Sequence, residues 1–332
     1  METRAAVPID TVDFSSSSAT VALGEALART GFVQLAGHGV DEGVRARYRQ
    51  ACDDFFALEL EDKQRFVNPD PEANRGYRAL GSESLSYSLG EASPPDLFES
   101  FNASVDPGAG VDHRLMHATP WPDTAVPDFS SAALAMVEEF AALAKRLDES
   151  IAELTGWSDL VGRSGAGPDT LVGINYRPGP DGTEEVADGQ QRMGAHTDYT
   201  SFTILDADPV RGLQLIDPTG EWVDVTPSKD GLLVNVGDLL AVATNDRWPS
   251  TLHRVVPMAA GGAAHRRSVA YFHYPNLDVV VEPLPKFTHD EASKYDAVSV
   301  SDHLLDKLVS AKVREESKST MTVAGRMDKP SA

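Results

Sequence analysis

The chain has one cysteine in 332 residues, Cys52. That excludes an intramolecular disulfide and any multi-cysteine metal site. Cys52 sits in a helical-looking stretch ahead of Asp53, Asp54, Phe55 and Phe56, where helix packing is the expected role. Cations are also scarce, with 29 Lys and Arg against 51 Asp and Glu and a formal charge of −22. Such a balance opposes binding to nucleic acid or an anionic membrane surface. There is no apolar run of about 18 residues, the length a transmembrane helix needs. The first eight residues lack the basic and then apolar pattern of a secretory signal, so a cytoplasmic location is expected, with no obligate protein partner evident.

What is present is a soluble-protein composition, 41% hydrophobic and 24% charged, whose pattern changes along the chain. A strand is expected from Val7 to Phe14, then a helix with N-cap candidates among Ser15 to Ser18 and an apolar stripe through Val21, Leu23, Ala26 and Leu27. Gly31 ends it, Phe32 to Leu35 reads as a strand, and a second helix is expected from about Glu42 to Leu58. Between Asn68 and Asp112 the sequence is punctuated by proline and glycine, with Tyr77, Tyr87, Phe98 and Phe101 interspersed. Irregular stretches of that length tend to be binding loops or lids.

After Pro127-Asp128, Leu134, Val137, Phe140, Leu143, Ala144, Leu147, Ile151 and Leu154 recur at three- and four-residue intervals, which makes one continuous apolar helix face. Beyond Gly165 the period becomes strand-like. Short apolar runs, Leu171 to Tyr176, Tyr199 to Leu205, Leu213 to Ile216, Trp222 to Val225, Leu232 to Val236, Leu239 to Ala243, Leu252 to Val256 and Ser268 to Tyr274, are separated by turn residues. Short strands so punctuated imply a β-sandwich or barrel, and a jelly roll accommodates eight. The fold class read here is mainly β with flanking helices. A C-terminal helix is expected from Ser301 to Val313.

Within the strand region lies Met193-Gly194-Ala195-His196-Thr197-Asp198-Tyr199-Thr200. In a strand, residues two apart share a face, so His196 and Asp198 are expected side by side. His253 follows in another strand-like segment. Two histidines and one carboxylate, with positions left open, are the ligand set of non-haem Fe(II) oxygenases. A zinc site or a merely packed pair of histidines is the bland alternative. Arg266 and Ser268 then share a strand face, a guanidinium fork and a hydroxyl suited to a carboxylate, with Arg267 turned the other way, toward solvent.

These motifs, together with Gly31-Phe32-Val33-Gln34-Leu35-Ala36-Gly37-His38-Gly39-Val40 and Phe272-His273-Tyr274-Pro275-Asn276, resemble the isopenicillin N synthase-like branch of the 2-oxoglutarate and Fe(II)-dependent dioxygenases. The resemblance spans most of the chain. It implies a double-stranded β-helix core with N-terminal helical additions, and Fe(II), 2-oxoglutarate and dioxygen as cofactor and co-substrates. The iron ligands would be His196, Asp198 and His253, with Arg266 and Ser268 on the distal carboxylate of 2-oxoglutarate. The implied chemistry is oxidation of a C–H bond in a small molecule, in secondary metabolism: hydroxylation, desaturation or ring formation. Residues 1–125 would form an N-terminal region with substrate-lid loops, 126–300 the packing helix and jelly-roll domain, and 301–332 a helix and disordered tail.

One departure stands out. The family often carries Asn-Tyr-Tyr-Pro, whose second tyrosine touches the 2-oxo acid, whereas this chain has Asn175-Tyr176-Arg177-Pro178. Asn175 and Arg177 are accordingly placed at the co-substrate; Arg177 could instead bind a substrate carboxylate or be a surface arginine. The implied substrate contacts are Arg75, Tyr77 and Phe101 from the lid stretch and Phe272 and Tyr274 from the last strand. An Fe(II) oxidase that does without 2-oxoglutarate, or a jelly roll that only binds small molecules, remains as an alternative.

Overall fold

A computed structural model describes residues 9–70, 73–89, 93–106, 115–157, 168–176, 187–257 and 265–310. β-branched and aromatic residues fill the short runs between turns, and these runs pair into two facing sheets. The larger has eight strands. In spatial order they are β1 (Thr11–Asp13), β2 (Phe32–Ala36), β10 (Leu232–Val236), β7 (Phe202–Ala207), β12 (Arg266–His273), β5 (Thr170–Tyr176), β4 (Glu99–Ala103) and β3 (Gly76–Arg78). The smaller, four-stranded sheet runs β6 (Met193–His196), β11 (His253–Val255), β8 (Leu213–Ile216) and β9 (Trp222–Val225). All pairings in these sheets are antiparallel except β1 with β2. This is the jelly-roll core.

Period-two alternation gives the large sheet two unlike faces. Leu171, Phe202, Ile204, Val269 and Tyr271 join a core with helices α1 (Ala19–Thr30), α2 (Glu42–Phe56) and α4 (Phe129–Thr155). A short helix, α3 (Leu60–Gln64), follows α2. Val172, Ile174, Ala270 and Leu233 point the other way and meet Leu213, Leu215 and Val225 of the small sheet. Helix α4 buries Phe140, Leu143, Leu147 and Ile151, the stripe legible in the sequence. Helix α2 starts where the Asp41 side chain accepts from Val44 N at 2.9 Å. Helix α1 ends at Gly31, whose φ of 68° and 2.1 Å approach of a Cβ position to the Pro249 carbonyl admit no side chain.

Three expectations are corrected. Leu239 to Ala243 is a helix, α5 (Asp238–Ala243), not a strand, because all its residues are buried and so carry no period to read. The punctuated stretch after Asn68 contributes β3 and β4 to the main sheet; it is more than a lid. Arg267 faces the helix side, where it pairs with Asp53 of α2 rather than with water alone. Among the described residues no helix is long and apolar enough to cross a membrane.

Candidate active site

Strands β6 and β11 are paired so that His196 and His253 are direct partners, with ring centroids 4.3 Å apart. His196 Nδ1 lies 2.7 Å from the Gly194 carbonyl and His253 Nδ1 3.0 Å from the Thr251 carbonyl. A carbonyl can only accept, so each Nδ1 carries a proton and Nε2 is the ring atom left facing Asp198. Both Nε2 atoms lie 3.7 Å from Asp198 Oδ1. Asp198 Oδ2 accepts from Thr203 Oγ1 at 2.5 Å and Asn235 Nδ2 at 2.6 Å, which leaves Oδ1 turned toward the imidazoles. The three residues are buried. Burial, and next the neighbouring His253, push the His196 imidazolium down to about 4, so the ring is neutral and able to ligate at neutral pH.

Asp198 does not share a strand with His196. β6 ends at His196, and Asp198 lies in the turn that carries the chain across to β7. Its position is held from the backbone, where Asp238 N donates to the Asp198 carbonyl at 2.8 Å. Gly194 allows the one-turn helix Leu85–Leu89 to lie over β6, since a Cβ there would meet Ser86 Oγ at 2.5 Å.

The same cavity, about 1050 Å³ with its open mouth included, also receives Arg266, Ser268 and Tyr176. Arg266 is 1% exposed. Its Nη1 donates to the Val210 carbonyl at 3.0 Å, its guanidinium lies 5.7 Å from the Tyr176 ring centre, and its Nε has no hydrogen-bond partner among the described residues. No described carboxylate forms an ion pair with it, and burial pushes its pKa below the ordinary arginine value. The Ser268 hydroxyl lies beside the Tyr176 hydroxyl. A buried, uncompensated cation is costly. A bound anion at this end would remove that cost.

Residues 168–275 match the 2OG-Fe(II) oxygenase superfamily, and residues 9–124 match the N-terminal region of non-haem dioxygenases in morphine synthesis. The 2-oxoglutarate-Fe(II) type oxidoreductase hxnY of Emericella nidulans is 31% identical over 84% of this chain and 80% of its own length. The chain belongs to the 2-oxoglutarate and Fe(II)-dependent oxygenases. The 2-oxoglutarate-dependent dioxygenase citB of Monascus ruber is also 31% identical, over 85% of the chain and 86% of the relative. Among solved structures, a full-length Neurospora crassa protein in complex with alpha-KG superimposes with a TM-score of 0.78 at 29% identity, covering 90% of this chain and 95% of that one. The oxygenase therefore uses Fe(II), 2-oxoglutarate and dioxygen. Two imidazoles and a carboxylate on one side of a cavity, with an unpaired buried arginine in the same cavity, fit that set.

Of the contacts expected from the sequence, Phe272 and Tyr274 line the cavity with Ser268. Asn175, Tyr77, Phe101 and Arg75 do not. Asn175 lies on the opposite face of β5 and donates through Nδ2 to Glu99 Oε1 at 2.9 Å. Tyr77 donates to Glu99 Oε2 at 2.7 Å, and Phe101 packs on Phe55 and Phe129 in the helix-side core. Arg75 is buried behind the cavity, donating to Thr170 Oγ1 at 3.1 Å. Tyr77, Phe101 and Asn175 sit on the face of β3, β4 and β5 turned from the cavity, in a stretch that for the first two reads in the sequence as an irregular lid. The cavity receives the neighbours instead: Arg78, Ser100, Asn102 and Tyr176. Arg177 lies outside the described residues. Tyr176, in register with Arg266 across β5 and β12, is the tyrosine the sequence reading missed. Its signal was the period-two spacing Val172, Ile174, Tyr176. Thr203 and Asn235, which fix Asp198, had no local signal.

Proposed function

We propose that this oxygenase oxidises an unactivated C–H bond of a small molecule in secondary metabolism, with hydroxylation as the default and desaturation or ring formation open to the same residues. The observation that carries the reading is the unpaired buried Arg266 sharing one cavity with the His196, Asp198 and His253 cluster. In this reading those three residues hold Fe(II), which when bound activates dioxygen with electrons from the 2-oxo acid. Arg266 binds the distal carboxylate of 2-oxoglutarate, with the Ser268 and Tyr176 hydroxyls beside it. Thr203 and Asn235 keep Asp198 Oδ1 toward the metal and its carboxylate from swinging. The apolar wall of Phe272 and Tyr274 excludes water from the reacting C–H bond. We place the enzyme in the cytoplasm, a reading supported by its acidic surface and single buried thiol.

The test is succinate release from 2-oxoglutarate, with Fe(II) supplied or chelated, across a panel of small molecules. Release that rises with one panel member and matches its oxidised product mole for mole is the expected result. Product formed at full rate with no 2-oxo acid present would overturn the reading.

A further inference from the structure

On the side of β5 away from β12, strands β4 and β3 continue the pocket face outward. Ser100 is in register with Ile174, and Asn102 with Val172. Both side chains therefore extend the face that carries Ser268 and Ala270. Ser100 Oγ donates to Asn102 Oδ1 at 3.0 Å, and Asn102 Nδ2 donates to Asn74 Oδ1 at 2.7 Å. This relay occupies the oxygens of both amides and leaves the Asn74 NH2 as a donor beside the cavity. On the same wall, Glu83 Oε1 accepts from Arg78 Nε at 2.7 Å and forms an ion pair with Nη2 at 2.7 Å. Arg78 Nη1 reaches the Ala73 carbonyl at 3.4 Å, tying the Glu83 carboxylate to the segment that carries Asn74. No hydrogen bond to Glu83 Oε2 is formed among the described residues, so it remains an acceptor.

We propose that Asn74, Arg78, Glu83, Ser100 and Asn102 form the ledge that recognises the prime substrate, and that this substrate is a neutral molecule bearing a cyclic amide or imide. The proposal rests on the oxygenase reading of the same cavity. A ring amide offers a carbonyl acceptor and an N–H donor side by side, the complement of the Asn74 donor and the Glu83 acceptor. Arg78 and Glu83 neutralise each other. A carboxylate on the substrate would face Glu83 and an ammonium would face Arg78, while a hydrocarbon would leave the ledge desolvated without partners. Phe98 and Tyr176, with ring centres 6.2 Å apart, supply the apolar surface for the rest of a flat ring.

The experiment is anaerobic calorimetry on the full chain loaded with Fe(II) and 2-oxoglutarate, using 2-quinolone, 2-naphthoate and naphthalene as probes. 2-Quinolone is expected to bind at least about tenfold tighter than either of the others, the value of one hydrogen bond to a charged group. Glu83→Gln removes the carboxylate and uncovers Arg78. In that variant 2-quinolone should lose about tenfold and 2-naphthoate gain about tenfold, with 2-oxoglutarate affinity within about twofold of the parent. Asn74→Asp, which replaces the donor by an acceptor at unchanged volume, should lose 2-quinolone binding by a similar factor and serves if Glu83→Gln does not fold. Equal or tighter binding of 2-naphthoate by the parent, or no change in preference in the folded variant, overturns the ledge. Failure of the parent to bind 2-oxoglutarate at all would instead sink the underlying oxygenase reading of the cavity.

Discussion

Adjacent arginines on β12 show what separates the two faces of the large sheet. Arg267 points to the helices and meets Asp53 and Asp208. Arg266, one residue earlier, points into the cavity and meets a carbonyl and an aromatic ring but no described carboxylate. The contrast repeats across the sheet. On the helix side Lys63 pairs with Glu99 at 2.8 Å, Arg45 with Asp206 at 2.9 Å, and His273 sits between Asp148 at 3.0 Å and Asp169 at 2.8 Å. Burial costs a charge the same on either side. In these three helix-side cases the partner is part of the fold, whereas the end of the cavity at Arg266 has room for a partner that arrives with a ligand.

The largest effect that could break this contrast comes from the metal cluster. Replacing His196, Asp198 or His253 by Ala is expected to abolish turnover and tight Fe(II) binding while the thermal unfolding profile of the apo chain stays cooperative. Full turnover by His253→Ala would refute the assignment.

The two buried cations should then fail in opposite ways. Arg266→Ala is expected to lose two to three decades of 2-oxoglutarate affinity, from roughly 3 to 5 kcal/mol for breaking the buried pair the ligand makes, with little loss of apo stability. Lys63→Ala, which strands Glu99, should cost roughly 3 to 5 kcal/mol of folding stability and leave 2-oxoglutarate affinity in the folded fraction unchanged. Calorimetry beside urea unfolding reads both, and an exchange of the two outcomes would erase the distinction between the faces.

A pH series sharpens the helix-side half. Asp169 and Asp148 outweigh the burial that lowers it, and hold the His273 imidazolium up at about 10. Tyr271 also donates to Asp169, at 2.8 Å, and the Phe202 ring lies against the imidazole. Because the folded value lies above the unfolded one, the stabilisation is full below about pH 6.5 and is lost as pH rises through about 10. Urea unfolding should show a decline between neutral pH and about pH 10.5 that His273→Gln flattens. An identical slope in the variant would remove His273 from the account. The smallest effect belongs to Ser268→Ala, where loss of a hydrogen bond to a charged ligand, roughly 1.5 to 3 kcal/mol or less, should weaken 2-oxoglutarate binding by about tenfold. No change in its dissociation constant would place Ser268 outside the binding set.

Much of this was open to reading before any fold was known, because it depends on local chemistry and period. The stripe of α4, the runs that became β5, β8, β9 and β10, and the Arg266, Ser268, Phe272 and Tyr274 face of β12 are each short-range patterns. The residue types of the cluster, two imidazoles and a carboxylate, were legible as well. The tertiary structure decided what local pattern cannot carry. Whether Asn175 or Tyr176 faces the cavity depends on the phase of β5, set by its pairing with β12 far along the chain; a slip of one residue exchanges the faces. β3 and β4 were hidden because Ser100, Asn102 and Arg78, on the face toward the cavity, are polar where a strand's buried face is ordinarily apolar. The run from Leu239 became a helix since burial on every side erased its period. Asp198 reached the histidines through a crossover between sheets, and Thr203 and Asn235 hold it from strands that only folding brings together.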